Sequence, residues 1–454
     1  MRSSRALLIL SLFNLFGGLI LSAHALPLDP KRLASELRLG PQTVRVKLSD
    51  LGRVMRIRGT DLALSLARKP ELGNVRADEW IVDCKRSIIY QPETNKSRKI
   101  PRSGVLIESL SGILSVNEKR FREQIVVYPK ELLSPYDESV RTNSQCLVVN
   151  HIDLEKYLES VVNGEFNSQW AEAAVEAQII AARTYALYQM REMRKDIGRV
   201  YDVESTQKDQ VYLGLDQADA KATELVNKTR GIILTPKTSK NLDPIKAFYH
   251  ASCGGKTLLP EQVWGAKFPG FTKRVTCPFC AGSPTYSWDY HMTYSEVQSK
   301  IARGLAADPS GRKAWPDAYL DNPKRWFLVD VRTKYKDVEE TPEHSFRSIA
   351  HADDSDVRAS DILFDFVDRT QIKHRLTVKM NSYTARNWLD AGKLKSTWFS
   401  LDSVGRSVVF HGKGSGHGVG MCQWGAKKMG EKGFTRDQIL SYYYPGVKIA
   451  RIWK

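Results

Sequence analysis

The sequence is poor in acidic residues and cysteine, and it contains one apolar stretch of membrane length, at its N-terminus. Its 454 residues include 6 cysteines, and 51 acidic residues stand against 68 basic ones. With 42% hydrophobic and 26% charged residues, a disordered or collagen-like chain is excluded. The net charge of +17 indicates an anionic partner: nucleic acid, an acidic membrane surface, or an acidic polymer outside the cytosol.

The first residues have the pattern of a secretory signal. Arg2 and Arg5 precede an apolar run that ends near Leu21, and Ala23-His24-Ala25 follows as a small-x-small cleavage site. We therefore predict a signal peptide over residues 1–25 and an exported protein of the periplasm or cell envelope. The alternative is an uncleaved N-terminal anchor, which would be the protein's contact with the membrane. Export disfavours nucleic acid as the partner.

The remaining chain predicts an α+β fold, with a β-rich N-terminal part and a central helical hairpin packed on a mixed sheet. Apolar and basic residues alternate from residue 43 to residue 58, which is the period of half-buried strands, and further strand-like pieces follow up to residue 150. We expect one elaborated unit whose parts are residues 1–25 (signal peptide), 26–150 (β-rich), 151–284 (core with the helical hairpin), 285–405 (less regular, forming a groove) and 406–454 (glycine-rich loop and C-terminal helices).

Two helices are predicted directly after the β-rich part. Asp153 can cap the first one, and Gly164 is a natural stop for it. The second begins near Ser168, runs to about Lys195 and is apolar on most of its circumference, which predicts burial.

Glu165 is the strongest candidate for a general acid. It follows the predicted helix stop and has apolar neighbours in sequence that could desolvate a carboxyl and raise its pKa toward neutrality. A carboxyl that is protonated at pH 7 is what cleavage of a glycosidic bond requires. The alternative is a surface glutamate that interacts with the helix dipole. Gln178 and Arg183, on the second helix, either orient a substrate or make structural bonds.

Four residues have the spacing of a zinc site. His250 and Cys253 form one pair, and Cys277 and Cys280 form a second. Such a closed set of three cysteines and one histidine would hold a structural Zn²⁺. Disulfides to Cys84, Cys146 or Cys422 are the alternative. His417, which lies between glycines, is either a site residue or a buried, hydrogen-bonded imidazole.

Several blocks of the sequence resemble the sporulation stage II protein D (SpoIID) and amidase-enhancer (LytB) family. The first block includes Val161-Val162-Asn163-Gly164-Glu165 and the helix up to residue 186. The others are residues 209–212 with 229–231, residues 249–257, and residues 414–426, which include Gly416-His417-Gly418 and Gln423. They follow in the family's order and span residues 150–450, whereas residues 285–405 match loosely.

The resemblance implies a lytic transglycosylase that cleaves peptidoglycan glycan strands between MurNAc and GlcNAc and leaves 1,6-anhydroMurNAc ends. It makes Glu165 the acid and base, with substrate-binding roles for Gln178, Arg183, His417 and Gln423. A non-catalytic relative that binds and activates an N-acetylmuramoyl-L-alanine amidase is the competing interpretation, and a hydrolase would need a second carboxylate. Cys422 stands where the family usually has serine. Zinc-containing members draw ligands from the region of His250, so the individual ligands remain an inference from this sequence.

Overall fold

The computed structural model describes residues 42–49, 51–67, 75–94, 96–129, 146–313, 315–335 and 358–454. The predicted signal peptide lies outside these ranges. Within them, none of the helices has both the length and the apolar character needed to span a membrane.

A mixed sheet forms the N-terminal part, and nine of its strands lie in the described ranges. Its order is β5-β4-β3-β2-β6-β7-β8-β1-β9. Strand β1 pairs with β8 in antiparallel and with β9 in parallel, which makes the sheet mixed. The strands are β1 (Thr43–Lys47), β2 (Val54–Leu66), β3 (Val75–Asp83), β4 (Ile88–Tyr90), β5 (Ser97–Lys99), β6 (Val105–Val116), β7 (Lys119–Tyr128), β8 (Leu147–Asp153) and β9 (Val203–Glu204).

The predicted helical hairpin packs on this sheet. It consists of α1 (Leu154–Glu165) and α2 (Glu172–Met193), and apolar side chains of both helices share one core with the strands. The Asp153 carboxylate accepts the backbone N–H groups of Glu155 and Lys156, at 2.9 and 3.2 Å, so the predicted cap is present. The α+β fold class is therefore confirmed.

Two predicted helix boundaries are wrong. Helix α1 does not stop at Gly164 but continues through Glu165. Helix α2 begins at Glu172, because Ser168 does not cap it: the Ser168 hydroxyl donates instead to Asp219 Oδ2, at 2.6 Å. In both cases a contact with a segment more than forty residues away determines what the residue does.

The elements that follow complete the unit. Helices α3 to α10 are Ala220–Lys228, Pro260–Trp264, Tyr294–Ala307, Pro309–Arg312, Asp317–Asp321, Ser382–Asp390, Gln423–Glu431 and Arg436–Tyr443. Strands β10 to β19 are Ile232–Pro236, Tyr249–His250, Ser287–Thr293, Trp326–Tyr335, Ala359–Asp368, Arg375–Asn381, Phe399–Val404, Ser407–Lys413, Met421–Cys422 and Val447–Arg451. Short 3₁₀ turns lie at Leu215–Gln217, Pro278–Cys280 and Pro323–Arg325.

The segment predicted to be less regular has regular elements and a core of its own. Two three-stranded antiparallel sheets, β12-β17-β16 and β13-β14-β15, pack with α5 and α8. Its aromatic and aliphatic residues are spread over short elements with differing periods, and therefore no single pattern dominates the sequence.

Two small sheets connect distant parts of the chain near the hairpin. Strands β10 and β19 pair in antiparallel, and β11 pairs in parallel with β18. The second pairing places Tyr249 beside Met421 and His250 beside Cys422. It thereby joins the glycine-rich loop to the segment that follows the hairpin.

Candidate functional site

Glu165 is the last residue of α1, and it is partly buried. The backbone N–H of Val211 donates to Glu165 Oε1 at 2.5 Å. Burial raises the pKa of Glu165 from 4.5 to about 7, and the hydrogen bond from Val211 opposes this rise only in part. The side chain is therefore able to exist in both protonation states near neutral pH, which is what a group that gives and takes a proton requires.

Gly164 is required for this contact rather than for ending the helix. A Cβ atom at position 164 would lie 2.3 Å from the carbonyl oxygen of Val211, which real Cβ contacts do not reach. Glycine thus allows the loop around Val211 to approach α1 closely enough for its N–H group to bind the carboxyl of Glu165.

Asp209 holds that loop in place. Its carboxylate accepts hydrogen bonds from Tyr185 Oη at 2.8 Å, from Gln189 Nε2 at 2.6 Å and from the backbone N–H of Glu204 at 2.9 Å. Two of these donors lie on α2, so the hairpin itself fixes the loop that carries the Val211 N–H group.

Gln178 and Gln423 come together beside Glu165. The amide nitrogen of Gln423 donates to the backbone carbonyl of Glu165 at 2.9 Å and lies 3.5 Å from Gln178 Oε1. Both glutamine side chains are buried, and Gln178 Nε2 has no acceptor among the described residues. A buried amide that lacks an acceptor is costly, and a bound hydroxyl or water would relieve that cost.

Arg183 has a structural position. Its side chain is fully buried, and its guanidinium holds both carboxylate oxygens of Glu155, with the shortest contact at 2.7 Å. It also donates to the carbonyl of Ile232 at 3.2 Å. The backbone N–H of Gly231 and the indole N–H of Trp453 also donate hydrogen bonds to the carboxylate of Glu155. The predicted substrate-binding role of Arg183 is therefore not supported, because the guanidinium closes the core instead.

His417 and His250 form a pair of neutral imidazoles. Their ring centroids are 5.6 Å apart. His250 Nδ1 donates to the carbonyl of Val419 at 3.0 Å, and His417 Nδ1 accepts the N–H of Val419 at 3.1 Å. Burial lowers the pKa of His250 to about 4 and that of His417 to about 3. His417 is less enclosed than His250 and lies 5.1 Å from the ring of exposed Trp264.

Arg358 is a site residue that the sequence analysis missed. It donates to the carbonyls of Cys253 and Lys256, at 3.2 and 3.1 Å, and its guanidinium lies 4.7 Å from the ring of Trp398. Its charge contributes to lowering the pKa of both histidines. It lies in the loosely matching segment, and only the tertiary fold reveals that it reaches the glycine-rich loop.

A second feature is an aromatic surface that begins at Phe166, next to Glu165 in sequence, and ends at Trp424, next to Gln423. Phe166 lies 4.5 Å from Trp170, which lies 5.3 Å from Trp424, between ring centroids. Lys427 Nζ is 4.7 Å from the ring of Trp424. Both tryptophans are partly exposed, so this surface offers ring faces and a cation to a ligand.

The cysteines fall into two groups. Cys84 and Cys146 form a disulfide within the β-rich part, which removes both from the alternatives considered for the other four. The Sγ atoms of Cys253, Cys277, Cys280 and Cys422 all lie within 4.8 Å of one another, and all four residues are buried. Cys422 thus joins the three predicted cysteines as the fourth sulfur of this cluster, and His250, the fourth member of the predicted set, is not part of it.

Comparison with known proteins agrees with the resemblance in the sequence. Residues 142–235 match the family described as Stage II sporulation protein (SpoIID). Over 420 residues the chain is 26% identical to an uncharacterized protein of Brachyspira hyodysenteriae, covering 89% of this chain and 92% of that protein. Two Bacillus subtilis proteins are also similar. The amidase enhancer is 25% identical over 64% of this chain and 40% of its own length, and stage II sporulation protein D is 27% identical over 66% and 76%.

Proposed function

The chain carries a SpoIID-family domain, and from this premise we propose that it is a lytic transglycosylase of peptidoglycan glycan strands, with Glu165 as both acid and base. The observation that supports this proposal most directly is the carboxyl of Glu165, whose pKa is raised by burial to about 7. The amide of Gln423 donates to the backbone carbonyl of the same residue and lies 3.5 Å from Gln178 Oε1. The predicted signal peptide agrees with a site of action in the cell envelope.

In the first step, the protonated carboxyl of Glu165 gives its proton to the oxygen that joins MurNAc to GlcNAc. The bond between that oxygen and C1 of MurNAc breaks, and GlcNAc leaves with a free 4-hydroxyl. Glu165 becomes a carboxylate, which the N–H group of Val211 stabilises through the hydrogen bond already present.

In the second step, the C6 hydroxyl of the same MurNAc attacks C1, and its proton passes to the carboxylate of Glu165. The product is a 1,6-anhydro ring, and the acid form of Glu165 is restored. An intramolecular nucleophile needs no separately activated water.

Product analysis tests this proposal. Purified protein is incubated with peptidoglycan, and the soluble fragments are identified by mass spectrometry. We expect 1,6-anhydroMurNAc ends, and we expect Glu165→Gln to abolish their release. Glu172→Gln is the matched control, because Glu172 lies at the exposed start of α2 and its carboxylate pairs with Lys221 and Lys228, neither of which is a site residue. Reducing ends in place of anhydro ends, or undiminished release by Glu165→Gln, would refute the mechanism.

The name of one relative favours a second candidate, in which the chain activates a cell-wall amidase. In that case stem peptides would be released faster when the chain is added to an amidase, and Glu165→Gln would keep this effect. Measuring stem-peptide release with and without an amidase, alongside the product analysis, separates the two functions.

A further inference from the structure

The four clustered cysteines come from three separate parts of the chain. Cys253 lies just beyond β11, Cys277 directly precedes a 3₁₀ turn that ends at Cys280, and Cys422 ends β18. The segments that carry Cys253 and Cys422 are already paired through β11 and β18, so the fold itself brings the thiols to one point.

The geometry matches a tetrahedral thiolate site. Four sulfurs at about 2.3 Å from a zinc ion lie about 3.8 Å from one another. The Sγ atoms of Cys253 and Cys280 are 3.5 Å apart, and all four Sγ atoms fall within 4.8 Å. A set of four protein ligands leaves no position for substrate or water, so an ion held there would be structural.

The surroundings supply donors to the sulfurs. The backbone N–H groups of Cys253 and Gly425 point to Cys422 Sγ, at 3.3 and 3.4 Å, and the hydroxyl of Tyr443 lies 3.1 Å from Cys277 Sγ. Such outer contacts orient thiolate ligands and stabilise their negative charge. Gly425 is required here, because a Cβ atom at that position would lie 2.7 Å from Cys277 Sγ.

We propose that Cys253, Cys277, Cys280 and Cys422 together bind one Zn²⁺ ion, and that this ion holds Gln423 in its position against Glu165. Gln423 directly follows Cys422, and its amide donates to the backbone of Glu165. A metal ion bound to Cys422 would therefore fix the position of Gln423 beside Glu165, although the metal itself would not contact substrate. The metal site does not depend on the proposed glycan cleavage, because it is defined by the thiols alone.

Metal analysis of the full chain, purified without added zinc and dialysed against a weak chelator, tests this proposal. We expect about one equivalent of zinc per chain, loss of that zinc in Cys422→Ser, and its retention in His250→Asn. The His250 variant is the matched control, because the alternative set of three cysteines and one histidine would lose its metal there. Retention by Cys422→Ser together with loss by His250→Asn would overturn the four-cysteine assignment.

Two further measurements keep the proposal falsifiable if a variant folds poorly. Replacement of zinc by Co²⁺ should give the charge-transfer absorption of a four-thiolate site in the parent chain, and a spectrum of three thiolates and one imidazole in Cys422→His. Mass spectrometry without reductant should show four alkylatable thiols once the metal is removed. A metal-free chain in which the four cysteines form two disulfides would refute the zinc site, whatever the outcome of the glycan assay.

Discussion

Substitution of Glu165 by glutamine should stabilise the folded protein at alkaline pH. Burial raises the pKa of Glu165 to about 7, whereas 4.5 is the ordinary value that we take for the unfolded chain. The folded state therefore binds the proton more tightly than the unfolded state does, and the free energy of unfolding falls as the pH rises through this window. At 1.36 kcal/mol per pKa unit, the cost of the ionised carboxyl reaches about 3 kcal/mol above pH 7.

Glutamine keeps the shape of the side chain and the oxygen that accepts the Val211 N–H group, but it carries no charge at any pH. We therefore expect the stability difference between Glu165→Gln and the parent chain to increase by about 3 kcal/mol between pH 4 and pH 8. Most of the increase should fall between pH 4.5 and pH 7. Urea unfolding at a series of pH values, followed by tryptophan fluorescence with the Cys84–Cys146 disulfide intact, measures this difference.

Glu172→Gln is a second control, because the pKa of Glu172 is shifted in the opposite direction to that of Glu165. The hydrogen bond from Lys228 lowers the pKa of Glu172, so its loss should slightly destabilise the protein at pH 8 and not at pH 3. A stability difference for Glu165→Gln that stays constant within about 1 kcal/mol from pH 4 to pH 8 would refute the argument from burial. In the glycan assay, cleavage should decline as the pH rises above 7, because the acid then lacks its proton.

Two more substitutions test the packing around the site. Gly164→Ala should lower the free energy of unfolding by about 1–3 kcal/mol and slow cleavage, because the added Cβ would push Val211 away from α1. Gly282→Ala is the control, because Gly282 has open space around it. Unfolding and activity measurements should show no change in that variant. Arg183→Met should lower the free energy of unfolding by about 3–5 kcal/mol, because it leaves Glu155 charged and unpaired. Adding Glu155→Leu should recover much of that loss. If the double variant recovers no stability, this account of the ion pair is wrong.

Local patterns predicted the parts of the fold that depend on neighbours in sequence. The alternating strands, the cap at Asp153 and the burial of α2 are all visible as short-range periodicity. Glu165 could be singled out for the same reason, since its apolar sequence neighbours indicate a desolvated carboxyl. The match of residues 142–235 to the SpoIID family supports the resemblance that the sequence showed around Glu165.

Long-range contacts explain what the sequence could not reveal. Gly164 looks like a helix stop until the carbonyl of Val211 is seen against it. From its position in the sequence, Arg183 could equally bind substrate or make a structural bond, and its buried ion pair with Glu155 shows the structural bond. His250 has the spacing of a ligand, but β11 and β18 bring Cys422 to the thiol cluster from a separate part of the chain. Spacing along a sequence cannot rank partners that only the tertiary fold brings together.

The bond between Trp453 and Glu155 has a consequence for biosynthesis. The two residues are 298 positions apart, and the indole N–H of Trp453 donates a hydrogen bond to the carboxylate of Glu155 in the first turn of α1. A ribosome makes that helix long before it makes its partner, so the emerging polypeptide cannot finish this core during most of translation. This part of the core is therefore completed only late, and removal of the residues around Trp453 would leave the buried carboxylate of Glu155 without one of its hydrogen-bond donors.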